Sequence, residues 1–404
     1  MNDDAVTLAE MDAPSANTAH DAPHIVHATE CLAGGTLGFL VRVLRELDAL
    51  GVKQTLIFSR RPDTPKDVEQ QFPPSVKLVE IPAARGLHIK FISGLVSALH
   101  DAVRAQPTLA VHLHSSKAGF VGRLALGVVR NGAQLLYSPH GLAFLNRRRR
   151  LSSAVYWVLE RFAGFVNCQP VGCSHGEAQL LEDVTGRVAF VLENPVAEEF
   201  FKVERKPSEP PIVLSVGRAC EQKAPEVFAE LAVHFHIQEY PARFIWAGSG
   251  ESDREARVKA AGGCITGWVP AEEVCRLMSE ATIYVQTSRW EGMPLSVIQA
   301  MATGLPCVVT DVVGNRDAIR HGHTGLVATT TEELASHLEL LFKHADLRER
   351  LGSTARAEAR ARFGPETFRK SLAALYGLAQ QTPQSSVPAT NPSEHNDLRL
   401  VTAA

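Results

Sequence analysis

The chain has 404 residues, room for two to four domains at about 100–200 residues each. Its 44 Asp and Glu against 41 Lys and Arg leave a net charge of −3, without the basic excess of a protein that coats DNA or RNA. Hydrophobic residues at 45% and charged residues at 21% exclude wholesale disorder and fibrous repeats.

Residues 1–23 and 381–404 are polar, bear Pro, Ser, Asn and Thr, and read as disordered tails. His24–Thr29 reads as a strand and Gly34–Gly35 as a tight turn. Leu37–Leu50 follows as a helix with Leu40, Val41, Leu44 and Leu47 on one face. Strands are expected at Gln54–Ser59 and Lys77–Ile81, and an amphipathic helix at Ile89–Arg104. Leu109–His114, Gln134–Ser138 and Val171–Cys173 continue the strand series. The charged, proline-rich stretch VERKPSEPP (203–211) reads as a linker. Beyond it, strands at Ile212–Val216, Arg243–Trp246, Ile283–Gln286 and Pro306–Thr310 alternate with helices near Pro225–Phe235, Ala271–Ser279 and Pro294–Thr303. Two βα runs of similar size predict an α/β fold of two doubly wound parallel-sheet domains. Such sheets bind ligands at the C-terminal ends of their strands, so two facing domains make a cleft.

The seven cysteines are scattered and contain no C-x-x-C pair, which reads as thiols in a reducing compartment rather than a disulfide framework or a zinc site. The N-terminus is acidic and lacks the order of a signal peptide. No stretch of 18 or more residues is apolar enough to cross a bilayer. The expected location is cytoplasmic, with attachment to a membrane surface left open.

Chemistry concentrates in a few segments. In SRWEGMPLSVIQAMATGLPCVVTDVVG (288–314), Glu291 and Gly292 lie in a loop after a strand, and Pro294 suits a first helical position. Helix initiation around Met293, Pro294 and Leu295 presents backbone N–H groups and a positive dipole end, a seat for phosphate. Gln299 follows one to two turns in. In SVGRACEQKA (215–224), Arg218 and Lys223 stand past a strand end, where two cations can hold a diphosphate. Gly34 and Gly35 lack the G-x-G-x-x-G spacing of a nicotinamide site but allow close backbone approach to a ligand. HLHSSKAGF and SPHGLAF place His114, Ser115, Ser116, Lys117 and His140 at neighbouring strand ends, as donors for substrate hydroxyls. Each segment also has a plain reading as a crossover loop, a solvated face or a structural histidine.

Taken together, GG after the first strand, HSSKAG, SPHG, ENP at Glu193–Pro195, GR-x4-K and SRWEGMPL…AMATGLP resemble the retaining glycosyltransferases of family 4. That resemblance implies a GT-B fold, with 24–204 binding the acceptor and 205–364 the nucleotide-sugar donor. A helix at 365–380 would return to the first domain. It gives Arg218 and Lys223 the donor diphosphate, and Glu291 the sugar hydroxyls. The backbone of Gly292, Met293, Pro294 and Leu295 would hold sugar and phosphates, and His140 would face the transferred sugar. Gly34 and Gly35 make room for the diphosphate, and Asn194 matches a polar position near the domain junction. His114, Ser115, Ser116 and Lys117 are expected on the acceptor side.

The family pattern has two glutamates separated by seven residues, and here the second position is Gln299, which keeps an acceptor but loses charge. Ala224 likewise stands where glycine is usual. No D-x-D motif appears between the tails, so metal-independent transfer with no cofactor is expected. The run Arg147–Arg150 precedes a helix striped with Leu151, Ala154, Val155, Val158, Leu159 and Phe162. A basic cluster beside apolar residues suggests docking on anionic lipid, with a saccharide or polyprenyl-diphosphate-linked acceptor in cell-surface polysaccharide synthesis. The alternatives are a nucleotide-sugar epimerase of the same fold and a catalytically weak binding partner, the latter motivated by Gln299.

Overall fold

A computed structural model describes residues 22–82, 88–127, 132–145 and 150–378. The expected tails fall almost wholly outside the described residues. Seven strands form the first sheet: β1 (His24–Thr29), β2 (Lys53–Ser59), β3 (Lys77–Ile81), β4 (Ala110–His114), β5 (Gln134–Ser138), β6 (Gln169–Gly172) and β7 (Phe190–Val191). Six form the second: β8 (Ile212–Val216), β9 (Arg243–Ala247), β10 (Cys264–Ile265), β11 (Ile283–Gln286), β12 (Cys307–Thr310) and β13 (Leu326–Ala328). The orders are β3-β2-β1-β4-β5-β6-β7 and β10-β9-β8-β11-β12-β13, and the pairing between neighbouring strands is parallel. Two Rossmann-like α/β sheets are therefore present, as expected.

Burial on both faces explains the composition of these strands. Every residue of β1 is buried, and β8, β11 and β12 are almost continuous Ile, Val, Leu and Tyr. In each sheet the order reverses between a central pair, β1 and β4 in the first, β8 and β11 in the second. Crevices open at such switch points, beyond the C-terminal strand ends. The strands β7, β10 and β13 were not read from the sequence, because two or three residues carry too little pattern.

The helix Pro365–Leu375 packs Phe368, Leu372 and Leu375 into the core of the first sheet with Leu40 and Leu44, and Tyr376 joins them. The helix Arg150–Ala163 is anchored by a buried network. Glu160 accepts from Arg123 Nη2 at 2.6 Å and from the Tyr137 hydroxyl at 2.6 Å, while the Arg123 guanidinium lies 4.1 Å from the Tyr137 ring centre. With both acceptor oxygens and the guanidinium satisfied, this buried pair holds the helix by one face. Val155, Trp157, Val158 and Phe162 on that helix, and Phe165 just beyond it, are exposed.

Two of the boundaries that differ from the sequence reading bear on the site. The helix expected from Leu37 starts at Gly34, with Ala33 as its N-cap and no side chain capping it. Gly34 and Gly35 therefore belong to the first turn of that helix rather than to a turn before it. Pro294 is the N-cap, not the first residue, of the helix Leu295–Ala302, since its ψ of 105° is extended.

Candidate active site

One cleft of about 670 Å³ opens where the strand ends of the two sheets face each other. It is lined by His140, Arg218, Lys223 and Glu291, together with Gly34, Gly35, Asn194, Gly292, Met293, Pro294, Leu295 and Gln299. Residues scattered over more than 260 positions of sequence thus share one wall-to-wall space.

Lys223 reaches the cleft because Gly217, at φ +147°, lets its chain pass; a Cβ there would lie 3.3 Å from Lys223 Cε. Its Nζ lies 2.7 Å from Glu291 Oε1. The same oxygen accepts from Ser288 Oγ at 2.6 Å and Gln286 Nε2 at 3.1 Å. Glu291 Oε2 takes only a long bond from Gln222 Nε2, 3.3 Å, which leaves acceptor capacity for a ligand hydroxyl. Arg218 donates to Asp63, on the loop after β2. Burial works to raise the Asp63 carboxyl, but Arg218 and Arg61 outweigh it and hold it below the usual range. Both cations therefore meet carboxylates at rest. Ala224, at φ +50°, sits in the left-handed region, which is the reason glycine suits that position.

Two helix N-termini also point at the cleft. Neither Gly34–Ala49 nor Leu295–Ala302 has a side-chain cap or an acidic residue in its first turn. Such ends carry unpaired N–H groups and a partial positive charge suited to phosphate. Asn194 Nδ2 donates to the Met293 carbonyl at 2.9 Å, tying the first half of the chain to this loop. Asn194 Oδ1, on the cleft wall, is buried without a hydrogen-bond partner. A buried polar atom is rarely left so, and a polar ligand would satisfy it.

His140 stands on the opposite wall at φ +55°, an uncommon conformation for a residue other than glycine. Glu177 holds this turn: its Oε1 accepts from Gly141 N at 2.7 Å and its Oε2 from Cys173 N at 2.8 Å. Burial raises the Glu177 carboxyl, against those hydrogen bonds. Phe39 packs on His140 with ring centres 4.7 Å apart, and burial lowers the imidazole to about 4.

His114, Ser115, Ser116 and Lys117 do not line the cleft. His114 is fully buried, with Nδ1 2.9 Å from His140 Nε2 and Nε2 3.1 Å from His27 Nδ1. The first turn of the helix Ser116–Gly127 is occupied by Glu30, which accepts from the Lys117 and Ala118 backbone N–H groups and from Ser115 Oγ. A carboxylate is thus already seated on that helix end, where the partial positive charge favours it. His27, His112 and His114 bring ring nitrogens within 4.8 Å of one another. Yet both nitrogens of His112, bonded to Tyr376 and Ser138, and both of His114 are engaged in hydrogen bonds, so they offer a cation no free ligand.

Sequence reasoning missed Arg61 and Asp63 of the cleft wall, Glu177 behind His140, and Trp268, which is 63% exposed on the cleft. Glu177 follows an N-cap serine in SHGE and reads as ordinary helix capping. Only its contact with residue 141 reveals the second role.

Comparison with known proteins gives the family of the chain. Residues 34–187 match the family described as glycosyl transferase 4-like domain, and residues 196–358 the family described as glycosyl transferases group 1. The chain belongs to the group 1 glycosyltransferases. It is an enzyme that transfers a sugar from a nucleotide sugar. It is 26% identical over 264 residues, 59% of this chain and 67% of the relative, to UDP-Gal:alpha-D-GlcNAc-diphosphoundecaprenol alpha-1,3-galactosyltransferase of Escherichia coli. Sucrose-phosphate synthase from Thermosynechococcus elongatus superimposes with a TM-score of 0.75 at 19% identity, over 88% of this chain and 98% of that one. Anabaena HepE, solved with UDP and glucose, gives 0.70 at 15% identity, over 88% and 99%. These structural likenesses show the GT-B fold.

Proposed function

We propose that the chain moves a hexose-type sugar, with retention at the anomeric carbon, from a nucleoside diphosphate sugar to a hydroxyl of a lipid-linked saccharide in cell-surface polysaccharide synthesis. In this reading residues 24–204 hold the acceptor and 205–364 the donor. The observation that carries it is the convergence of Arg218, Lys223 and two uncapped helix ends on one cleft, opposite His140.

The leaving group is a nucleoside diphosphate, so the transition state gathers negative charge on its oxygens. Arg218 offers a planar fork once the diphosphate draws it from Asp63, Lys223 a point charge, and the helix ends fixed N–H groups near the developing charge. Glu291 is held rigid by Lys223, Ser288 and Gln286, and its freer oxygen can accept from sugar hydroxyls. His140 faces the sugar from the other wall. Trp268 presents a flat apolar face for the base. The galactosyltransferase of Escherichia coli, whose name specifies UDP-Gal and a diphosphoundecaprenol acceptor, supports testing UDP-sugars and polyprenyl diphosphate acceptors first.

We further propose peripheral attachment to the inner face of the plasma membrane. No described helix is long and apolar enough to cross a membrane. Val155, Trp157, Val158 and Phe162 are nevertheless exposed beside Arg161 on a helix that Glu160 anchors, and Phe165 is exposed just beyond its end. Of the adjoining arginine run, residues 147–149 lie outside the described residues and Arg150 opens the helix. Apolar residues flanked by this basic run suit an anionic bilayer.

Release of nucleoside diphosphate from a panel of UDP- and GDP-sugars, with a polyprenyl diphosphate saccharide as acceptor, tests the catalytic reading. Arg218→Ala and Lys223→Ala should each cut turnover by about 10² or more. Near-normal transfer in both would overturn the site. Sedimentation with anionic liposomes at low salt tests the membrane reading, and its absence would refute attachment.

A further inference from the structure

We propose that His114 and His27 are positioning residues that fix the tautomer of His140, so that its Nδ1–H is a hydrogen-bond donor to the transferred sugar. The inference rests on the reading of the cleft as a sugar-transfer site and deepens it.

Three imidazoles stand in file from the sheet interior to the cleft. His27 lies on β1, His114 on the adjacent β4, and His140 two residues beyond β5. His27 Nδ1 is 3.1 Å from His114 Nε2, and His114 Nδ1 is 2.9 Å from His140 Nε2. Successive ring planes are nearly parallel, at 20° and 13°. His112 packs its ring 4.1 Å from that of His114, with its own nitrogens on Tyr376 and Ser138. That neighbour leaves His114 little freedom to turn.

All three rings are neutral in the folded chain. Burial lowers His27 to about 3 and His140 to about 4, and it lowers His114 well below the ordinary value. A neutral imidazole has one N–H and one bare nitrogen, and each contact in the file needs one of each. Only two arrangements satisfy both contacts. In the outward one, His27 Nδ1–H donates to His114 Nε2, and His114 Nδ1–H donates to His140 Nε2. His140, which lines the cleft, then carries its proton on Nδ1. The inward one reverses every bond and leaves His140 Nδ1 a bare acceptor.

The inner end of the file decides between them. His27 Nε2 is buried without any partner. The inward arrangement would put a proton there and orphan a buried N–H donor, the kind of group proteins leave unpaired least often. The outward arrangement leaves only a lone pair. Proton placement at the core thus reaches the reacting sugar through two hydrogen bonds, and His140 donates to a sugar oxygen.

Long-range ¹H–¹⁵N correlation NMR of the full chain labelled at histidine reads the tautomers directly, with no ligand added. Protons on Nδ1 of both His114 and His140 are expected; protons on Nε2 of both would overturn the proposal. Kinetics supply a second test, as UDP release from whichever of UDP-glucose and UDP-galactose supports turnover. His114→Leu should lower kcat roughly tenfold with donor KM nearly unchanged, the scale of one lost hydrogen bond. His114→Asn, which keeps an N–H donor near the δ position, should recover most of the rate. A folded His114→Leu with wild-type kcat refutes positioning. His140→Ala separates the two readings: if it too turns over normally, the sugar-facing assignment of His140 fails. If it is inactive while His114→Leu is not, the file alone fails. Should His114→Leu not fold, the spectra of the native chain decide.

Discussion

Arg218, on the loop after β8, donates to Asp63, on the loop after β2, so an ion pair bridges the two halves of the chain at the cleft wall. The side chains are 36% and 25% exposed, and such a pair is worth no more than about 1 kcal/mol. A diphosphate entering the cleft must take Arg218 from Asp63. Asp63→Asn should therefore lower donor KM by about two- to fivefold, measured as nucleoside diphosphate release against donor concentration. A rise in KM would mean that Asp63 itself contacts the ligand.

Gln299 lines the same cleft on the helix Leu295–Ala302, where the family pattern has a carboxylate. Charged acceptors make stronger hydrogen bonds to hydroxyls than amides do, by about 1 kcal/mol. Gln299→Glu is expected to tighten donor binding about fivefold with kcat little changed. Calorimetric titration of wild type and variant checks this, and equal affinities would show that position 299 does not meet the donor.

Gly292 has no room for a side chain. A Cβ there would lie 2.9 Å from Cys173 Sγ, 3.0 Å from Glu177 Oε1 and 3.1 Å from Gly141 N. Gly292→Ala should push against the carboxylate that holds the His140 turn. Destabilisation of about 1–3 kcal/mol and more than a tenfold loss of turnover are expected. Thermal melting and donor turnover, measured together, would show otherwise if both stayed at wild-type values.

The buried histidines predict acid sensitivity in a defined window. His27 titrates near 3 in the folded chain and His112 and His114 far below 6.5, the value each approaches when unfolded. Between about pH 6.5 and 4 the unfolded state binds protons that the folded state does not, so stability falls as pH falls. Each such group contributes up to about 1.4 kcal/mol per pH unit. Carboxyls held low, such as Asp63, lose their contribution only below this window. Urea midpoints at pH 7.5, 6.0 and 5.0 should decline steadily; a flat profile would contradict neutral burial.

The sequence by itself determined the local chemistry. Continuous apolar strands, periodic helices and loop residues such as Arg218, Lys223, Glu291 and His140 were legible because burial and backbone geometry act over a few residues. The α/β class and the two sheets followed from the same periodicity. Tertiary structure alone decided which polar groups meet. Glu30 claims the helix end at Ser116–Ala118 across 85 residues or more of chain. Asp63 opposes Arg218 across 155 residues, and Tyr376 reaches His112 across 264. His114 looked like a donor at a strand end, yet the register of β1, β4 and β5 turns it inward beneath His140. No local pattern encodes such pairings, because a buried charge or imidazole is defined by partners that only the packed chain brings within hydrogen-bond reach.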